Sequence, residues 1–467
     1  MLYKLIVIIG LLFANELVFA QSPPKAMRPN IVFIIIDDLG YSDPGFMGNT
    51  YYETPNINKL SKQGMIFTNA YANAPNCAPT RASLMSGWYG PRHGIYTVGS
   101  SARGKSQDRK LIPEKNIEAL DSSVVTLAEV FKSAGYATAM FGKWHLGAGA
   151  QTGPKGQGFD VNVGGNLQGH PHSYFSPYHN PDIKDGAAGE YLTDRLTSEA
   201  ISFLKDHKTN PFFLYLPYYA VHVPLQARQG TIEKYNKKKS PYVRSSPVYA
   251  AMLDNVDENI GRLLHTLNEL NLDKNTLIIF TSDNGGFYPV SSAGPLRGNK
   301  GMLYEGGIRV PMIVKWPGKI KPGSVNNEPV VSMDFFPTFL QVCGIQKPAA
   351  KILDGEDLSP LLYGSGSLKR KALYWHFPAY LEKAPGMKET WRQTPASVVR
   401  KGDWKLIESF EDNKLELFNL KNDIGEQNEL SKKFPDKVKE LKNDLIQWRK
   451  DLNAPVPAQL NPEYVAK

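Results

Sequence analysis

Cysteine is nearly absent: Cys77 and Cys343 are the only two in 467 residues. A chain this long with so few does not rest on a disulfide framework. Internal repeats are lacking, and the basic run Lys237-Lys238-Lys239, read as a solvated loop, is the nearest thing to a biased tract. Long hydrophobic runs are missing too. The apolar stretch Leu5 to Leu12 is too short for a comfortable membrane span. It follows Lys4 and precedes the small residues of Val18-Phe19-Ala20, the arrangement of an export signal over residues 1–20 rather than an anchor. No cysteine sits near the cleavage point, which disfavours a lipoprotein. The expectation is an exported protein, periplasmic or secreted, with no stable membrane insertion and a Pro-rich leader over 21–28.

Acidic residues are in deficit, 45 against 54 lysines and arginines, for a formal net charge of +9. A basic exported protein suits an anionic partner, and charge alone leaves a sulfated glycan, nucleic acid and a membrane surface all open. The composition is that of an ordinary globular protein, long enough for a large domain and a smaller one.

Ile31 to Ile36 is continuously apolar and β-branched, as a strand buried on both faces requires, and ends abruptly in Asp37-Asp38. Thr276 to Phe280 is a second such run, followed by Thr281-Ser282-Asp283-Asn284-Gly285. Further strands are expected at Thr138–Phe141, Phe212–Leu216 and Met312–Val314. Helices are expected over Val125–Ser133, closed by Gly135, and Val248–Leu270. Strands alternating with helices imply a mostly parallel α/β sheet whose ligand crevice lies at the carboxyl ends of the strands. Asp37, Asp38, Asp283 and Asn284 all fall at such ends. Each cluster alone reads as a strand-ending turn; together they read as oxygen ligands for calcium or magnesium.

Asn76-Cys77-Ala78-Pro79-Thr80-Arg81 carries the most chemistry. Pro79 fits the opening turn of a helix, which puts Cys77 just before a helix N-terminus in a field that favours anions. Arg81 lies one turn on, so the residues themselves describe an activated cysteine. Cys-x-Pro-x-Arg followed by Gly87 resembles the signature of type I sulfatases of the alkaline-phosphatase-like superfamily. Further matches follow in order: Gly142-Lys143-Trp144-His145, Gly158-Phe159-Asp160, Phe212 to His222 and Pro224, Asp283-Asn284-Gly285, Arg297 to Gly301, Tyr304 to Pro311, Asp354-Gly355 and Trp404-Lys405-Leu406. Val221 departs from the proline that many members carry there.

The resemblance implies that Cys77 is oxidised to formylglycine (3-oxoalanine) by a formylglycine-generating or anaerobic sulfatase-maturating enzyme, which excludes a disulfide with Cys343. It also implies a calcium ion held by Asp37, Asp38, Asp283, Asn284 and residue 77. Arg81 and Lys143 would hold the hydrated aldehyde, His145 would act as base, and His222 with Lys300 would serve the leaving oxygen. His170 and His172, in a Gly/Pro/Tyr-rich loop, and His376 and Arg392, in an aromatic and basic segment, are expected to contact the substrate. The expected fold is a large mixed, mostly parallel sheet between helices over 29–345. A smaller C-terminal subdomain over 346–467 would follow, with an antiparallel sheet and a helix near Lys437–Lys450. The substrate class implied is a sulfated carbohydrate, with algal polysaccharide first, ulvan as the leading example and glycosaminoglycan as the alternative, and without a nucleic-acid partner. Rival readings are a phosphate- or phosphonate-ester hydrolase of the same superfamily, which Cys77 at the nucleophile position argues against, and a non-catalytic binder of sulfated glycans.

Overall fold

The computed structural model describes residues 28–291 and 294–466. The expected signal and almost all of the leader lie outside the described residues. The continuously apolar runs form the centre of the molecule, because a strand covered on both faces has nowhere to put a polar side chain. Eight strands make one sheet: β1 (Asn30–Ile36), β2 (Met65–Phe67), β3 (Ala137–Phe141), β4 (Val161–Val163), β5 (Phe212–Pro217), β6 (Thr276–Ser282), β7 (Met312–Lys315) and β8 (Ser324–Asn326). Their order is β4-β3-β5-β1-β6-β7-β2-β8. Pairing is parallel from β4 through β6, β7 runs antiparallel to β6 and β2, and β8 is parallel to β2.

Side chains of β1 alternate between two cores. Ile31, Phe33 and Ile35 face α1 (Cys77–Ser86), α2 (Leu127–Ser133) and α5 (Phe335–Cys343); Val32, Ile34 and Ile36 face α3 (Leu192–Asp206) and α4 (Pro247–Glu269). The helix expected from Val125 begins at Leu127 because Thr126 caps it, its hydroxyl accepting from the Glu129 N–H while the Glu129 carboxylate accepts from Thr126 N–H. Gly135, at φ 81°, follows its end. In the β1–β6 pair Ile36 stands opposite Ser282, so the acidic residues that follow leave the sheet side by side.

The C-terminal segment forms an antiparallel sheet of four strands, β9 (Ala372–Phe377), β10 (Ala396–Lys401), β11 (Trp404–Ser409) and β12 (Leu415–Asn419), in chain order. On one face α6 (Pro435–Asp451) docks through Leu441 and Leu445. On the other, Trp375, Val398 and Ile407 pack with Tyr71, Leu303 and Ile308 of the large sheet's periphery.

This junction also carries a buried ion network. Lys405 Nζ lies 3.0 Å from Glu305 Oε1 and 2.8 Å from Glu426 Oε1, with all three side chains fully buried. Glu305 also receives the Tyr71 hydroxyl at 2.6 Å and Arg309 at 3.2 Å, and its own N–H donates to Glu426 Oε2 at 2.7 Å. Burial opposes ionisation of Glu305, yet Lys405, Arg309 and Arg400 hold it at about 2. Burial pushes Glu426 from 4.5 up to about 7, against the pull of Lys405. A buried pair stripped of one partner leaves an uncompensated charge. Lys405→Met should therefore cost about 3–5 kcal/mol, read as a fall in the urea midpoint. Glu426 keeps its proton in the folded state to higher pH than in the unfolded chain. Stability should fall as pH rises from 4.5 to about 7. Glu426→Gln should flatten that slope; an unchanged slope would exclude Glu426 as its source.

Candidate active site

Asp37 and Asp38 end β1, and Asp38 adopts a left-handed backbone at φ 61°. Its amide reaches across to Asp283 Oδ1 at 3.3 Å, joining positions 245 residues apart. Asn284 Nδ2 donates to Asp38 Oδ1 at 2.8 Å. Asp37, Asp38, Asp283 and Asn284 have no solvent exposure.

Three cations answer the three carboxylates. Lys143 Nζ donates to Asp37 Oδ2 at 2.5 Å, Arg81 grips Asp283 Oδ2 through Nε at 2.9 Å and Nη2 at 2.8 Å, and Lys300 Nζ lies 2.7 Å from Asp38 Oδ1. Lys143 reaches its place because its N–H bonds Pro217 O at 2.7 Å beside Gly142, where a Cβ would fall 2.1 Å from that same oxygen. Burial, then repulsion from Asp283 and Cys77, raises Asp37 well above the carboxylate range despite Lys143. Asp38 is held below that range by Lys300, His222 and Lys143, against the effect of burial.

Cys77 is the first residue of α1 rather than the residue before it, with Asn76 as an extended cap. Its Sγ lies 3.5 Å from Asp37 Oδ1 and 4.0 Å from Asp38 Oδ1. Cys77 and Cys343 are both free and buried. Ligand atoms of Asp37, Asp38, Cys77 and His222 lie within 4.8 Å of one another. Asn284 Oδ1 is buried without a hydrogen-bond partner. An orphaned amide oxygen among clustered carboxylates is the donor set of a hard divalent cation, so these residues fit the expected ion. His222 in this group is an addition, since sequence reasoning gave it only to the leaving oxygen.

His145 takes φ 64°, a conformation that a bulky residue holds only when its surroundings enforce it. Its N–H donates to Asn166 O at 2.8 Å, Gly169 lies against the ring, and Nδ1 is buried without a partner. Burial, then Lys143, Arg81 and Lys300, drives its pKa well down, so the ring is neutral. His222 Nδ1 lies 2.9 Å from Val223 O, and Nε2 faces Asp38 Oδ2 at 3.7 Å. Burial and Lys300 lower it to about 4. The Tyr174 hydroxyl donates within 2.9 Å of the His222 carbonyl and 2.7 Å of the Tyr219 carbonyl, a support that nothing in the local sequence announced.

Of the four expected substrate contacts, His170 is brought to the mouth of the site, its ring stacked on His222 at 6.1 Å and 8°. His172 is exposed one step further out, against Gln168. Arg392 lies beside Gly301, next to Lys300. His376 is a correction: it sits in the C-terminal core with Nδ1 2.7 Å from Ser397 Oγ and Nε2 2.7 Å from Pro455 O. Both nitrogens are engaged and the ring packs near Tyr96 and Trp448, so it has nothing to offer a sugar.

Residues 29–345 match the sulfatase family, and 298–451 match the N-sulphoglucosamine sulphohydrolase C-terminal family. A sulfatase of Formosa agariphila is 34% identical, over 97% of this chain and 94% of its own length. The mouse N-acetylgalactosamine-6-sulfatase is 32% identical, over 74% of this chain and 68% of its own. Among solved structures, Ps i-CgsB in complex with k-i-k-neocarrahexaose superimposes with a TM-score of 0.76 at 29% identity, covering 92% of this chain and 95% of that one. The match over residues 29–345, the relative 34% identical across 97% of the chain and the superposition on the neocarrahexaose complex make the chain a member of the sulfatase family of the alkaline-phosphatase-like superfamily and a sulfuric ester hydrolase.

Proposed function

We propose that the chain is an exported sulfatase that removes sulfate from a sulfated carbohydrate, using formylglycine made from Cys77 and a bound calcium ion. One observation carries the mechanism: Cys77 Sγ sits 3.5 Å from Asp37 at the head of α1, where the metal-type ligands converge. Formylglycine at position 77 would, once hydrated by water, supply one hydroxyl as nucleophile toward sulfur and a second whose deprotonation would release sulfate and restore the aldehyde, and calcium would supply charge stabilisation there.

The chain's own residues account for the rest. Asp37, Asp38, Asp283 and Asn284 would hold the ion, with its extracytoplasmic setting favouring calcium over magnesium. Three carboxyl groups face three cations at this site, so even with all three ionised they only balance. A divalent cation therefore leaves the pocket net positive, which suits an anionic ester. Arg81 is committed to Asp283 and to the Lys143 carbonyl, so its work is to fix those ligands and the start of α1. Lys143 offsets charge at Asp37. Neutral His145, with Nδ1 unpartnered, is the base. His222 Nε2 and Lys300 Nζ share Asp38 and stand ready for the leaving oxygen. His170, stacked on His222, and His172 behind it would flank the sugar.

Carbohydrate as substrate is supported by the relatives: one solved neighbour holds neocarrahexaose and another holds D-glucosamine-2-N,6-O-disulfate. An algal polysaccharide or its oligosaccharides is the first class to test, with carrageenan and ulvan in the panel, and glycosaminoglycan is the second. Among the described residues no helix is long and apolar enough to cross a membrane. Export also gives a role to the maturation enzyme, which would oxidise Cys77 before folding.

Peptide mass spectrometry across residue 77 of the native enzyme should find formylglycine, and Cys77→Ala should fold with wild-type melting behaviour yet lose sulfate release by a factor of about a thousand or more. Retained turnover would remove Cys77 from the chemistry. Chelation should abolish sulfate release and lower the melting temperature, and added calcium should restore both; activity indifferent to chelator would exclude the ion.

A further inference from the structure

Among the described residues, the deeply placed guanidiniums have partners. Arg81 is held by Asp283, Arg309 by Glu305, Arg370 by Asp334 and Arg400 by the Tyr71 hydroxyl. Arg392 differs: it is half-buried, with only its Nε fully enclosed. It lies in the short strand Trp391–Gln393, which pairs with Leu381–Glu382, and its Nε is buried with no hydrogen-bond partner. The nearby carboxylate of Glu382 is taken by Arg103. Burial pulls Arg392 below the ordinary guanidinium range and Arg103 adds to this, with only Glu382 and Asp38 opposing. Two guanidiniums thus share one carboxylate, and a positive charge is left over. A half-buried cation with an enclosed, unpartnered Nε has capacity to take an anionic partner.

Its position ties that charge to the reaction. A Cβ on Gly301 would fall 2.6 Å from Arg392 Cδ and 3.4 Å from Nη1, so the side chain lies directly on this glycine. Gly301 follows Lys300, and its N–H donates to Pro75 O at 2.8 Å, two residues before Cys77. Beside it a cleft of about 520 Å³ opens between the 297–304 loop and the C-terminal strands, with Asn299, Met302, Trp391 and Gln393 in its wall. Glu389, Glu411, Asp412 and Glu416 also line it; Glu411 accepts the Tyr380 hydroxyl at 2.6 Å and Glu416 the Tyr304 hydroxyl at 2.9 Å. Arg392 is the wall residue that lies on Gly301, the neighbour of Lys300.

We propose that Arg392 is a specificity residue that binds a second anionic group of the substrate, a sulfate ester or a uronic carboxylate, beside the ester being cleaved. The substrate is then a glycan carrying more than one negative charge per disaccharide. This rests on the sulfatase reading above.

Calorimetry on protein retaining unconverted Cys77, in calcium buffer, tests it with three tetrasaccharides. These are κ-carrageenan (one sulfate per repeat), ι-carrageenan (two sulfates) and chondroitin 6-sulfate (one sulfate and one carboxylate). Wild type should bind at least one two-anion probe about ten- to a hundred-fold tighter than the κ probe. Arg392→Gln should erase that margin while weakening κ binding far less than binding of the two-anion probe, and Arg392→Lys should keep part of it. Which probe carries the margin separates sulfate from carboxylate. Equal affinity of wild type for all three, or an equal loss on all three in Arg392→Gln, overturns the inference. Sulfate release by the matured enzyme is followed in parallel: a margin that depends on Arg392, with no sulfate released from any probe, would instead overturn the sulfatase reading.

Discussion

Carboxylates crowded at the ends of two adjacent buried strands repel one another, and much of the surrounding architecture answers that repulsion. The register that sets Ile36 opposite Ser282 makes the crowding unavoidable. Each remedy comes from a different part of the chain: Arg81 from the first turns of α1, Lys143 from the end of β3, Lys300 from a loop beyond β6. Burial, reinforced by Lys143 and Lys300, lowers the pKa of both His145 and His222. Charge balance, ligand geometry and the protonation of the two histidines are thus one electrostatic problem.

Lys300 depends on a second, independent cluster. Its loop runs into Glu305, which is fastened to β11 through Lys405 and to the turn after β12 through Glu426. Both clusters are buried and nearly complete, and in both a carboxyl is pushed upward by burial, Asp37 in one and Glu426 in the other. The difference is what completes them. At Glu426 a proton suffices, whereas at Asp37 the orphaned Asn284 oxygen calls for a cation.

Much of this was legible in the sequence because the informative signals are local and strong. Two uninterrupted β-branched runs, each ending in acids, gave the sheet centre and the ligand end together. The spacing around Pro79 gave the helix start to within one residue. Long-range packing was not legible. His376 sits among aromatic and basic neighbours, which reads as a binding surface, but the alternation of β9 turns it inward onto Ser397 and Pro455. Arg392, in the same stretch, faces the opposite fate because the Leu381–Glu382 hairpin lays it on Gly301. Tyr174 carries no local mark of its importance, since its hydroxyl acts on carbonyls more than 40 residues away, and the Lys405 partner of Glu305 lies 100 residues on.

The seam between the large sheet and the C-terminal sheet has a consequence for how such a protein diversifies. Lys300, which pairs with Asp38, and Arg392, which touches the same loop from the C-terminal side, are separated by the thickness of one glycine. Leu303 and Ile308 continue that loop into the shared apolar core. Grafting a foreign C-terminal half onto this N-terminal half would bring new recognition groups, but also a new partner for Glu305 and a new surface against Gly301. If Arg392 recognises and Lys300 serves turnover as proposed, the two are mechanically linked, and a lineage that changes its sugar must re-tune the loop that holds its lysine.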